Sequence, residues 1–175
     1  MSEIARQSYP ASRMKVGAVL YEAFGSVVDG SVQTGLNEWV VRSIRVRRNT
    51  MSTYGNAFKR MGLEVPKAVN LIQRNKFTWG KVSAKAGDYG WLPNIWSGFR
   101  QQFTVGRDLP PGLFTTERAA YSYLRKSLKD ELKWYERELR RETDLDEIAV
   151  LTAERDDLER VLKAVERRLS KPASK

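Results

Sequence analysis

The sequence predicts an α+β fold: a small, mostly antiparallel β-sheet domain with a projecting basic ribbon, followed by a C-terminal antiparallel coiled-coil helical hairpin. Three observations predict it. Runs of β-branched residues and a tight-turn signal occupy the first two thirds of the chain. From Thr116 onward, apolar residues instead recur every three or four positions. Residues 1–112 carry 16 Lys and Arg against 7 Asp and Glu, whereas residues 113–175 carry 15 against 14, so the excess charge belongs to the first domain.

The β-rich domain is assigned to residues 16–112, after a polar, flexible arm at residues 1–15. Its first strand is predicted within Val16–Phe24. Asp29-Gly30 predicts a tight hairpin turn, because both central positions of such a turn need a positive φ. Gly35 is expected to end the returning strand, and a new strand is expected to begin near Glu38.

The stretch WVVRSIRVRRN, residues 39–49, is rich in β-branched residues and predicts a long strand. Side chains alternate between the two faces of a strand, so Arg42 and Arg48 would lie on one face and Arg45 and Arg47 on the other. Cations would then occupy both faces. A folded strand normally buries at least one face. A second strand, 67–74, is predicted to pair with the first as a ribbon. The arginine-rich end, 45–48, would then project beyond the sheet with neither face buried.

The remainder of this domain mixes glycine, proline and aromatic residues. A short helix is predicted at 54–61, and a second is predicted after Pro93, in which Ile95, Trp96, Phe99 and Phe103 share a face. Pro110-Pro111-Gly112 suits a type II turn. The aromatic residues expected in the core are Trp39, Trp91, Trp96, Phe99 and Phe103.

Residues 113–171 predict the helical hairpin, and residues 172–175 a frayed tail. Thr115 or Thr116 is the expected N-cap of the first helix, and Asp144 with Glu147 resembles a capping box at the start of the second. The expected apolar seam contains Ala120, Leu124, Leu128, Leu132, Tyr135 and Leu139 on the first helix, and Ile148, Leu151, Leu158, Leu162, Val165 and Leu169 on the second.

The composition argues against catalysis. The chain has no His and no Cys, which excludes histidine acid–base chemistry, cysteine nucleophiles and metal sites built from either residue. No glycine-rich phosphate loop is present. Glu131 and Lys133 form a nuclease-like Glu-x-Lys, but such triplets are frequent in charged helices. We expect no enzyme activity and no cofactor. Without an apolar run long enough for a membrane span or a signal peptide, we expect a cytoplasmic protein with no membrane partner.

The net charge of +10 predicts a polyanion partner, and basic residues interleaved with aromatic ones favour a nucleic acid, DNA or RNA. The candidate binding residues are Arg42, Arg45, Arg47, Arg48, Lys59, Arg60, Arg74, Lys76, Trp79, Lys81 and Lys85.

The alternative is a protein-interaction module, such as a phage- or mobile-element-encoded inhibitor or adaptor that blocks a nucleic-acid-handling complex. Its basic ribbon would bind an acidic protein surface. Tyr121, Tyr123 and Trp134 would offer a partner surface on the helices, and the same hairpin would allow self-association.

Overall fold

The computed structural model describes residues 14–46, 60–62, 67–74, 77–81, 89–93, 100–105 and 108–171, with backbone only for 77–81 and 89–93. The strands are β1 (Val19–Val28), β2 (Ser31–Val46), β3 (Lys67–Gln73), β4 (Phe77–Lys81), β5 (Tyr89–Pro93) and β6 (Arg100–Thr104), and the helices are α1 (Glu117–Leu139) and α2 (Leu145–Ser170). One sheet has the order β1-β2-β3-β6, and β4 pairs with β5. The α+β class is therefore confirmed. The predicted helix at 54–61 lies outside the described residues, except for Arg60 and Met61.

The hairpin between β1 and β2 turns where the sequence predicts it. Asp29 has a φ of 50° and Gly30 a φ of 71°, the two positive values that this turn requires. The predicted break at Gly35 is wrong, because β2 passes through it without interruption. A Cβ at Gly35 would lie 2.6 Å from Cζ of Phe24, so the glycine leaves room for the aromatic ring of the neighbouring strand.

Strand β3 pairs with β2 as predicted, in an antiparallel register that runs from Trp39–Gln73 to Val46–Lys67. Its other edge pairs with β6, again antiparallel. The predicted helix that included Phe103 is wrong at that residue: Phe103 lies in β6 directly opposite Val69, and both side chains are buried. Pairing with β3 overrides the weak helical spacing of the aromatic residues.

The chain forms two compact units. The first comprises residues 1–20 and 38–113, and its core contains Met14, Leu20, Trp39, Val41, Val69, Leu71, Phe103, Leu109 and Leu113. The predicted burial of Trp39 and Phe103 is confirmed, whereas the side chains of Trp91, Trp96 and Phe99 lie outside the described residues. Met14, assigned by sequence to the flexible arm, is a core residue. The predicted turn at Pro110 forms, with a Leu113 N–H bond to the Pro110 carbonyl of 3.1 Å and a φ of 86° at Gly112.

The second unit comprises residues 21–37 and 114–175, so it combines both helices with the outer part of the β1–β2 hairpin. The helix starts are confirmed. Thr116 accepts a hydrogen bond from Ala119 N, and Asp144 accepts from Asp146 N and Glu147 N. The reciprocal bond of the expected capping box comes from a different residue, because Glu142 Oε1 accepts the N–H of Asp144. The side chain of Glu142 therefore takes the place predicted for Glu147.

The core of this second unit is shared between the helices and the hairpin. Its buried members are Tyr121, Leu128, Val161 and Val165. The half-buried residues around them are Ala23, Val27, Val32, Leu36, Leu124, Leu158, Leu162 and Leu169. The helices therefore pack against the hairpin strands as well as against each other. That second packing surface explains why Tyr121 and Val161, both outside the predicted seam, are buried.

Candidate functional site

The arginines of β2 reach a common face through a β-bulge. The register with β3 shifts between Val41 and Ser43, so Arg42 is an additional residue in the strand. Val41 is buried in the core and Ile44 packs against it, although three positions separate them. The bulge reverses the alternation, so Arg42 and Arg45 line one recess in the sheet despite their opposite parity.

This sheet recess has a volume of about 550 Å³ and lies over β2, β3 and β6. The described residues that line it are Arg42, Ser43, Arg45, Asn70, Leu71, Ile72, Arg100, Gln101 and Gln102. None of these residues is acidic. The described lining therefore combines polar and cationic groups without an acidic side chain.

A polar ladder crosses the three strands in the middle of the sheet recess. Asn70 lies directly opposite Ser43 on one side and Gln102 on the other. Gln102 Nε2 donates to Asn70 Oδ1 at 2.9 Å, and Asn70 Nδ2 donates to Ser43 Oγ at 3.0 Å. These two bonds, one to each neighbouring strand, fix the amide of Asn70 in one orientation.

The three arginines of the recess, Arg42, Arg45 and Arg100, are exposed. Among the ion pairs formed by the described residues, none involves these side chains. Each guanidinium presents five N–H donors in a planar fork that matches a phosphate or a carboxylate. Their positive field is thus available to an anionic ligand.

The other predicted nucleic-acid residues are distributed differently. Arg74 forms an exposed ion pair with Glu38 at 2.8 Å, and Arg60 is exposed. Five predicted residues lie outside the described part of the chain: Arg47, Arg48, Lys59, Lys76 and Lys85. Trp79 and Lys81 lie in β4, where only the backbone is described. The sequence predicts a projecting end at residues 45–48. Arg45 and Val46 instead lie within β2, paired with Ala68 and Lys67 of β3. Arg47 and Arg48 lie outside the described residues, so any projection there stays a prediction.

The three predicted partner residues occupy different environments. Tyr121 is only 7% exposed and lies in the core of its own unit, with the Arg168 guanidinium 5.7 Å from its ring centre. Burial raises the pKa of its hydroxyl. Tyr123 is half-buried, with its ring 5.1 Å from that of Phe114. Trp134 is exposed and meets Tyr135 edge-on at 4.8 Å.

Of the nine described residues that line the sheet recess, the sequence predicted only Arg42 and Arg45. The missed residues include the three of the polar ladder, Ser43, Asn70 and Gln102, and the third cation, Arg100. A signal for two of them was present, because Arg100, Gln102 and Thr104 alternate with Phe103 and Val105 at the spacing of a strand. Ser43 and Asn70 carried no such signal, since their pairing depends on the register of β2 with β3.

Neither helix in the described chain has an 18-residue stretch apolar enough to cross a membrane. Within the described ranges, no group of three or more acidic side chains is arranged to hold a metal ion. The nuclease-like triplet lies on the exposed surface of α1, where Lys133 pairs with Asp130 at 3.4 Å.

Comparison of the chain with protein-family models, with curated proteins and with solved structures finds no match in any of the three.

Proposed function

We propose that this protein binds nucleic acid without catalysis and that the sheet recess is the contact surface. The observation that carries the proposal is the presence of three exposed arginines, without ion-pair partners among the described residues, around a recess whose described lining contains no acid. Cations on a protein surface are usually interspersed with acids, and a single-sign recess concentrates anions.

The chemistry of the lining suits a polynucleotide better than an isolated anion. Guanidinium groups bind phosphates and release the counterions condensed on them, which supplies most non-specific affinity. Serine, asparagine and glutamine side chains supply further hydrogen bonds to phosphate, sugar or base. The wider charge asymmetry of the chain, with its excess in residues 1–112, would favour approach of a polyanion toward this unit.

The test is salt-dependent binding of labelled DNA and RNA to the wild type and to a variant in which Arg42, Arg45 and Arg100 are all replaced by alanine. Each lost phosphate contact should reduce the slope of log K against log salt by about 0.7 to 0.9, so the triple variant should lose about 2 to 3 in slope. Its thermal midpoint should hardly change, since exposed cations contribute little to stability.

The matched control removes three exposed cations from α1, namely Arg118, Arg125 and Lys126. It lowers the net charge equally but leaves the sheet recess intact. A similar loss of slope in both triple variants would mean that binding is a general effect of net charge. A wild type without salt-dependent binding to DNA or RNA would refute the proposal.

The protein-interaction alternative is supported by exposed apolar side chains on the helices. Trp134 is 44% exposed, Val150 52% and Leu145 81%. A pull-down with and without nuclease distinguishes the two functions. Protein partners that are retained after nuclease treatment and lost on Trp134→Ala would favour the interaction module, whereas partners lost on nuclease treatment would favour nucleic-acid binding.

A further inference from the structure

We propose that the sheet recess takes single-stranded nucleic acid and holds one unpaired base against Asn70, with phosphates on the arginines at either end. This inference rests on the proposed function and adds the class of substrate and the residue that reads it.

The arginines and the ladder follow one another along the strands. Arg100 lies opposite Ile72 at one end, and Arg45 lies opposite Ala68 at the other. The four residue-to-residue steps from Ala68 to Ile72 span about 13 Å at roughly 3.3 Å per step. Asn70 lies midway between them. A strand of nucleic acid along β3 would therefore place phosphates near both ends and a base in the middle.

Asn70 retains the groups that a base edge needs. A primary amide has two N–H donors and two acceptor positions on its oxygen. One donor is used on Ser43 and one acceptor position on Gln102, which leaves one of each for a ligand. Ile72, two residues away on the same strand, adds apolar atoms to the recess lining. An amide donor and acceptor held side by side match the paired donor and acceptor on the edge of a base.

The concave form of the site argues against a duplex. Bases in a duplex are read by a helix or a ribbon that enters a groove, so the reading side chains must protrude. Asn70 instead is half-buried in the lining of a recess. An unpaired base can be turned out of a single strand into such a recess, as in most sequence-specific RNA recognition.

The experiment compares Asn70→Leu with the wild type on a single-stranded oligonucleotide and on a duplex of the same sequence, across salt. Asn37→Leu is the matched control, because it makes the same substitution in a strand residue of the helical unit. Asn70→Thr also removes the amide, and threonine favours strands. It serves as a second variant if leucine disturbs folding. Circular dichroism melts accompany each variant.

We expect the wild type to bind the single strand more tightly than the duplex. Both Asn70 variants should weaken single-strand binding about 5- to 100-fold, the usual range for a paired base contact, without changing the salt slope. Asn37→Leu should bind as the wild type does. Unchanged single-strand affinity in both Asn70 variants, with salt-dependent binding intact, would overturn this inference but leave the proposed function. A wild type that shows no salt-dependent binding to the single strand and none to the duplex would overturn both.

Discussion

Gly25 of β1 lies directly against Val161 of α2. A Cβ built on the glycine would be 2.5 Å from Cγ1 of Val161, closer than two carbon atoms can approach without displacement. Val161 is buried, and its neighbours in the core include residues of both helices and of the hairpin. The absence of a side chain at Gly25 therefore allows the strand to approach the helix this closely.

We predict that Gly25→Ala destabilises the protein by about 1 to 3 kcal/mol, the usual cost of forcing a methyl group into a filled core. Val161→Ala should also destabilise on its own, because it leaves a cavity. The double variant should be more stable than the sum of the two losses predicts, because the alanine methyl fills part of that cavity. Denaturant unfolding of all four proteins measures the coupling.

Gly35→Ala is the control for this comparison of single and double variants. Its Cβ would also be too close to a neighbour, but that neighbour is the ring tip of Phe24, a 40% exposed side chain that can turn aside. Gly35→Ala should therefore cost less than Gly25→Ala. Simple additivity of Gly25→Ala and Val161→Ala would contradict the packing described here.

The burial of the helical residues gives a second prediction. Leu128 is 5% exposed and Leu145 is 81% exposed, although both are leucines on the same helical hairpin. Leu128→Ala should lower the free energy of unfolding by about 2 to 5 kcal/mol, through lost burial and a residual cavity. Leu145→Ala should change it by less than about 0.5 kcal/mol. Equal thermal midpoints for the two variants would show that Leu128 is not a core residue.

Much of the local structure could be predicted because the determining signals are local. The Asp29-Gly30 turn, the N-caps Thr116 and Asp144 and the turn at Pro110 each depend on a few adjacent residues. The helical spacing likewise identified six helical residues of the second core, namely Leu124, Leu128, Leu158, Leu162, Val165 and Leu169.

The sheet recess could not be predicted in the same way, because it depends on contacts between distant segments. Neither a glycine nor a proline marks the bulge at Arg42, so the opposite parity of Arg42 and Arg45 suggested two faces, whereas both residues line one recess. Asn70 meets Ser43 and Gln102 only when three strands adopt one register. Tyr121 similarly resembles a surface residue until the β1–β2 hairpin covers it.

The connection between the helices predicts a pH effect. The backbone N–H groups of Asp144 and Thr143 donate to the carboxylate of Glu142, which lowers its pKa. The folded pKa lies below the unfolded value of about 4.3. The ionised carboxylate therefore stabilises the folded state fully above the unfolded pKa, and this stabilisation is lost as the pH falls through the folded pKa. The wild type should therefore be more stable than Glu142→Gln near neutral pH, and the difference should disappear in acid.

Thermal melts of the two proteins between about pH 3 and pH 7 measure this effect. Glu159→Gln is the control, because Glu159 makes only an exposed contact to Lys163 at 3.7 Å and accepts no backbone hydrogen bond in the described structure. A constant difference between wild type and Glu142→Gln across the range would show that the lowered pKa does not contribute to stability.

The last prediction concerns the bulge in β2, because two single-residue deletions in this strand should have different effects on stability. Deleting Arg42 removes the additional residue, so Val41 stays in the core and Ser43 and Arg45 stay in the sheet recess. Deleting Val40 also shortens the strand by one residue, but the remaining chain must then turn either Trp39 or Val41 out of the core. We expect the first deletion to cost about 1 kcal/mol or less and the second several kcal/mol, since a large buried apolar side chain is lost from the core. Denaturant unfolding measures both, and salt titration should show that the Arg42 deletion loses only about one phosphate contact. If the two deletions proved equally destabilising, Arg42 would not be the additional residue, and the shared face of Arg42 and Arg45 would need another explanation.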